Sequence, residues 1–157
     1  MASRNKFHEP LLHFLLVNEQ RCVYLKNVKK VLLLNDLKTI PNNAFFVVGY
    51  MKDEDKNIMI IDLSLRTNST HNESYTSETA VLFCENKGKH LGFIIDKVLD
   101  LDNSSDKIKL YNDINKVEPY YLGSTTYESK PSLLIDLDYF TNITLPLPRS
   151  LQAQQNH

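Results

Sequence analysis

The apolar residues of this chain fall in short runs, each strand-sized and closed by a polar break, and no stretch between them is long enough for a crossover helix. Runs rich in Val, Ile, Leu, Phe and Tyr occupy residues 13–17, 22–25, 45–50 and 58–63 in the first half, and 80–84, 91–95, 107–111, 120–127 and 133–137 in the second. Parallel βαβ units need crossover connections of a dozen residues or more, so the pattern predicts an all-β sandwich or barrel. Between the halves, residues 67–79 (TNSTHNESYTSET) have almost no apolar content and cannot supply a core element. They read as a connector between subdomain 1, about 12–66, and subdomain 2, about 80–142. The second half repeats the character of the first.

Helical signals are local. Asn27 precedes a stripe of Val28, Val31 and Leu32, which predicts a short helix after the second strand with Asn27 as its N-cap. The tail, 145–157, holds two prolines and then SLQAQQNH, consistent with a C-terminal helix or an unstructured end. Alternation in the most apolar runs points Val48, Ile61, Phe93, Ile95 and Ile135 at cores.

Eighteen Lys and Arg against nineteen Asp and Glu leave a formal charge of −1, so no long-range field draws the chain to nucleic acid or an anionic membrane. The apolar N-terminal part is interrupted by His13 and is too short to cross a bilayer, so a cytoplasmic location without membrane insertion is expected. On that expectation the Asn-x-Ser/Thr sequons at Asn68, Asn72, Asn103 and Asn142 are products of Asn-rich loops.

No catalytic or metal-binding constellation emerges. His8, His13, His71, His90 and His157 lack metal-ligand spacing. Asp53, Asp55 and Asn57 open like a calcium loop, but Ile58 stands where glycine is needed and Ser64 where the bidentate Glu belongs. GxSxG, GxxxxGK[ST] and GxGxxG are absent from the sequence, so no cofactor, phosphoryl transfer or small-molecule substrate is expected. Cys22 and Cys84 sit in apolar strand-like runs and read as buried reduced thiols. Two readings stay open beside a non-enzymatic binding module: a thiol enzyme built on Cys84 or Cys22, with Lys87 and Lys89 near Cys84, and a small-ligand β-barrel.

The order of the motifs resembles the CheW family of chemotaxis coupling proteins. Ile40-Pro41-Asn42-Asn43-Ala44-Phe45-Phe46-Val47-Val48-Gly49 is similar to that family's approach to a glycine, and the fifteen residues from Gly49 to Leu63 align with its glycine-to-Asp-Leu stretch without a gap. Leu91-Gly92-Phe93-Ile94-Ile95-Asp96-Lys97-Val98 and Leu133-Leu134-Ile135-Asp136-Leu137 resemble its two later strands. The resemblance implies two intertwined five-stranded SH3-like barrels and a scaffold that bridges a chemoreceptor's cytoplasmic tip to a CheA-like histidine autokinase. Alternatives within the family are a coupler for pilus motility or another pathway, and a degenerate copy that no longer binds a receptor.

The candidate partner-binding residues lie at and beside the places where the chain departs from the family pattern: Val28, Lys30, Val31, Val48, Gly49, Glu54 and Asp55. Lys52-Asp53-Glu54-Asp55 stands where the family usually carries Asn-Leu-Arg-Gly, Met59 stands in place of a proline, and Lys30 takes the place of a common Glu. Both signs are inverted. A drifted solvated loop would account for this, and so would a Lys30–Glu54 pair replacing a Glu–Arg pair.

Overall fold

The computed structural model describes residues 9–40, 43–66, 75–103, 107–112, 114 and 118–144. Its strands are β1 (Leu11–Leu16), β2 (Glu19–Tyr24), β3 (Val28–Leu33), β4 (Val47–Asp53), β5 (Lys56–Ile61), β6 (Ala80–Asn86), β7 (Lys89–Ile95), β8 (Lys97–Asp102), β9 (Lys109–Leu110), β10 (Tyr121–Tyr127) and β11 (Lys130–Ile135). Two short helices, α1 (Leu63–Arg66) and α2 (Leu137–Ile143), follow β5 and β11. Asp136 caps α2 by accepting a hydrogen bond from the Tyr139 amide.

The strands form two sheets. Barrel 1 has the order β8-β1-β2-β11-β10-β9 and barrel 2 the order β3-β6-β7-β5-β4. One is therefore six-stranded, through the two-residue β9, where five strands were expected.

A constant register relates the two halves of the chain. Gly49, Glu54, Lys56, Ile61, Asp62 and Leu63 correspond without a gap to Gly123, Glu128, Lys130, Ile135, Asp136 and Leu137. The structure repeats with the sequence: the β4–β5 ladder shifts register between Val47 and Gly49, and the β10–β11 ladder between Tyr121 and Gly123. Likewise the β1–β2 hairpin corresponds to β6–β7, and β3 to β8. Each barrel inserts the first hairpin of one repeat among strands of the other: β3 pairs with β6, β8 with β1, and the parallel pairs are β2 with β11 and β5 with β7. The barrels are thus not the sequential spans 12–66 and 80–142. Apolar runs identify strands but carry no information about which strand each will pair with.

The turns follow from pairing geometry. Val17-Asn18, Lys87-Gly88 and Glu128-Ser129 all have φ between 49° and 79°, the signature of two-residue type I′ turns that match strand twist. Val28 to Leu33 is a strand and not the expected helix; only Leu25–Asn27 forms a 3-10 turn. The β6 edge supplies ladder partners from Val28↔Cys84 to Leu33↔Ala80, and this pairing overrides the local 3.6-residue stripe of Val28, Val31 and Leu32, two of them β-branched. Of the connector, 67–74 lie outside the described residues. Its end is tied down, with the Tyr75 hydroxyl donating to Asp62 Oδ2 at 2.6 Å and Thr79 O accepting from the Leu34 amide. The tail 145–157 also lies outside the described residues.

The main core lies between the sheets and takes residues from both, including Phe14, Ile61, Phe93, Ile95, Ile135 and Phe140. Each barrel adds a smaller interior cluster: Leu34, Met51, Ile58, Ile60, Val81, Phe83 and Ile94 in barrel 2, and Leu11, Cys22 and Leu134 in barrel 1. Ile61, Phe93, Ile95 and Ile135 are buried as expected. Val48 is only half-buried, because it bulges at the register shift and packs at the margin of the barrel 2 cluster.

Candidate functional site

Of the candidate residues, Lys30 and Glu54 meet at the seam of barrel 2, where edge strand β3 faces the β4–β5 hairpin, and Val28, Val48 and Gly49 lie elsewhere along the same two strands. Alternation along β3 puts Lys30 on the side of Leu32, towards the barrel mouth, and alternation along β4 puts Asp53 on the side of Met51. The two side chains meet: Lys30 Nζ lies 2.7 Å from Asp53 Oδ2 and 3.8 Å from Glu54 Oε1. The first and last strands of the sheet order are thereby bridged, which closes the curled sheet on itself. The hydrogen bond to Asp53 raises the Lys30 pKa above its ordinary value, and Glu54 adds to the effect.

Lys30 and Glu54 are therefore brought together, but Asp53 is the principal partner, a residue that the sequence pattern places in the acidic loop and not in the pair with Lys30. The period-two pattern carried the missing signal, since Met51 inward implies Asp53 inward. Glu54 and Asp55 form the hairpin turn, and Glu54 is mostly exposed with φ 56°. On the outer face of β3, Val31 is 47% and Leu33 59% exposed. Leu33 is the apolar surface residue that the sequence reading passed over. These two side chains project beside an edge that has a strand partner on one side alone among the described residues.

Val28 is half-buried and packs on the central core. Gly49 is buried, with φ 154°, and a Cβ there would lie 2.2 Å from Lys38 O. Its role is to let the chain at Lys38 cross β4, held by Lys38 N→Tyr50 O and Tyr50 N→Lys38 O hydrogen bonds. Val48 and Gly49 thus set the path of β4 under the Lys38 segment, whereas Lys30, Val31, Glu54 and Asp55 are exposed.

Burial pushes the thiols of Cys22 and Cys84 up to about 12, so neither is a reactive thiolate at neutral pH. Ser132, His13 and Asp102 are hydrogen-bonded in series, but Ser132 has no exposed surface for a substrate to reach. No group of three or more His, Cys, Asp or Glu among the described residues is placed to hold a metal ion. No helix among them is long and apolar enough to cross a membrane.

Among solved structures, the chain is similar to the scaffolding protein TtCheW from Thermoanaerobacter tengcongensis, with a TM-score of 0.77 and 18% identity over 90% of this chain and 100% of that one. At that identity the likeness is one of fold. No curated protein matches the chain. The profile of the CheW-like domain matches residues 10–143, a span that takes in both exchanged barrels from β1 to the end of α2, and the chain therefore belongs to the CheW-like domain family.

Proposed function

We propose that the chain is a non-enzymatic adaptor of chemotaxis-type signal transduction that couples chemoreceptor cytoplasmic tips to a CheA-like histidine autokinase in the cytoplasm. The observation that carries this reading is the match to the CheW-like domain over residues 10–143. Buried thiols and a buried Ser132 speak against the enzymatic alternative. The seam of barrel 2, with Lys30, Val31, Glu54 and Asp55 at its surface and Val28, Val48 and Gly49 supporting them, is the proposed partner contact. It offers two exposed apolar side chains beside the acidic turn Asp53-Glu54-Asp55, a charge pattern that favours a partner with a basic counterpart.

Capture of binding proteins from the native cytoplasm with the tagged full chain tests the reading. Recovery of a histidine autokinase together with a chemoreceptor is the expected result. Recovery of the kinase alone supports the alternative of a copy without receptor binding, for which the lost arginine at Glu54 is the specific ground. Recovery of neither, with a thiol probe labelling Cys84 in the folded protein, would sink the adaptor reading.

A further inference from the structure

The two barrels share one plan but not one interior. In barrel 2, Phe83, Ile58 and Met51 are buried to 2% or less, and Leu32 packs against their cluster. The corresponding positions of barrel 1 carry His13, Ser132, Thr125 and Asp102. Burial is equally deep there, with 0% exposure at His13 and Ser132 and 6% at Thr125.

These groups form one polar chain that ties four strands. His13 of β1 lies 3.0 Å from Asp102 Oδ2 on β8 through Nε2, and 2.8 Å from Ser132 Oγ on β11 through Nδ1. An ionised carboxylate only accepts, so Nε2 carries the proton and Nδ1 accepts from the Ser132 hydroxyl when the ring is neutral. The imidazole stacks on Tyr127 of β10 with ring centroids 4.4 Å apart, and the Tyr127 hydroxyl donates to Asp100 of β8 at 3.2 Å. Thr125, directly opposite Ser132 in the β10–β11 ladder, stands beside these groups without joining them: its Oγ1 has no hydrogen-bond partner among the described residues.

Opening the two barrels therefore costs different amounts. Exposing the barrel 2 interior hydrates several large apolar side chains, which is unfavourable throughout. Exposing the barrel 1 interior hydrates two, Leu11 and Leu134, with the small Cys22, while water replaces the bonds of His13, Asp102 and Ser132 and satisfies the Thr125 hydroxyl. We propose that barrel 1 is the yielding half of the molecule, a built-in conformational device in which edge strand β8 detaches from β1 at a lower free energy than its counterpart β3 detaches from β6. The seam that carries Lys30 stays closed while the seam that carries Asp100 opens.

Hydrogen–deuterium exchange of the full chain, read by mass spectrometry on peptides from β8, β3, β10 and β4, tests this. Amides of β8 and β10 should exchange about 10-fold faster than those of β3 and β4, the scale of one unsatisfied buried polar group. Equal rates, or faster exchange in β3, overturn the proposal. Thr125→Val replaces the orphaned hydroxyl with a methyl of the same shape and leaves the fold intact. It should slow exchange in β8 and β10 by several-fold and leave β3 and β4 unchanged. Faster exchange in β10, or equal slowing in both barrels, rejects the polar interior as the cause.

Discussion

Lys30 and Asp100 occupy the same position in the two repeats, one opposite Phe83 in its ladder and the other opposite His13, and each reaches across the seam of its own barrel. Lys30 meets Asp53 at 2.7 Å, whereas Asp100 accepts from the hydroxyl of Tyr127, the residue equivalent to Asp53. One architecture is closed by an ion pair in one copy and by a neutral donor in the other.

The charge inversion of barrel 2 thus has a partner inside the fold. Double-mutant cycles in urea denaturation, with Lys30, Asp53 and Glu54 each replaced by Ala, should give a larger coupling for Lys30 with Asp53 than for Lys30 with Glu54. Both couplings should shrink on adding salt, since the seam is open to solvent. A Glu54 coupling equal to or above that of Asp53 would show that the 2.7 Å contact does not govern the seam.

Gly49 and Gly123 are equivalent, and each lies under a crossing segment. An alanine Cβ would stand 2.2 Å from Lys38 O at the first and 2.2 Å from Lys109 O at the second. Backbone oxygens held in ladders cannot withdraw as a side-chain tip can. Gly49→Ala and Gly123→Ala should each lose about 3 kcal/mol or more. Gly88→Ala, with φ +79° and nothing within 4 Å, should lose only about 1 kcal/mol. Similar losses at all three positions would mean that backbone conformation, not the close approach, sets the cost.

The fold was largely legible because each long strand announces itself by apolar content, and the motif order from Ile40 to Leu137 pointed to the right family. Two strands were not legible. Val28-Lys29-Lys30-Val31-Leu32-Leu33 carries a helical stripe that only pairing with β6 overrides, and Lys97-Val98-Leu99-Asp100-Leu101-Asp102 has too many charges to stand out until His13 and Tyr127 are seen to engage them. The exchange of hairpins was illegible for a stronger reason: pairing between repeats of similar sequence leaves no mark on either repeat alone. Of the candidate site, Lys30, Glu54 and Asp55 were legible as departures from a pattern, while the pairing of Asp53 and the exposure of Leu33 needed the strand faces.

Burial separates the expected core positions. Truncation of Ile61, Phe93, Ile95 or Ile135 to Ala should cost about 2–5 kcal/mol in chemical denaturation. Val48→Ala, at a half-buried bulge, should cost clearly less than any of them. A Val48 loss as large as that at Phe93 would put its side chain inside the barrel after all.

The turn Glu128-Ser129 places two non-glycine residues at φ 49° and 66°, and both are exposed. Asn-Gly is the preferred pair for this turn type, so Glu128→Asn with Ser129→Gly should stabilise by about 1 kcal/mol. The same exchange at Val17-Asn18 should gain less, because Val17 also packs on the central core. Thermal denaturation of the two turn variants separates relief of backbone strain from loss of packing.

The outer end of the β6–β7 hairpin makes stability depend on pH in the acid range. Burial pushes the Glu85 pKa up, but hydrogen bonds from His90 and Lys29 outweigh it and hold the carboxyl below its ordinary 4.5. Asp138 at the start of α2 is held below 3.8 by hydrogen bonds from Asn86 and Lys87. A depressed carboxyl pKa means that the unfolded chain takes up the proton first. The stabilisation is therefore complete above the ordinary values and declines as pH falls through the lowered ones; below both, the slope from these groups vanishes. Glu85→Gln and Asp138→Asn should each flatten the fall in stability between about pH 5 and pH 3. A wild-type slope retained in both variants would show that other carboxylates carry the acid limb and that the ties of β6 to β3, β7 and α2 are not charge-assisted.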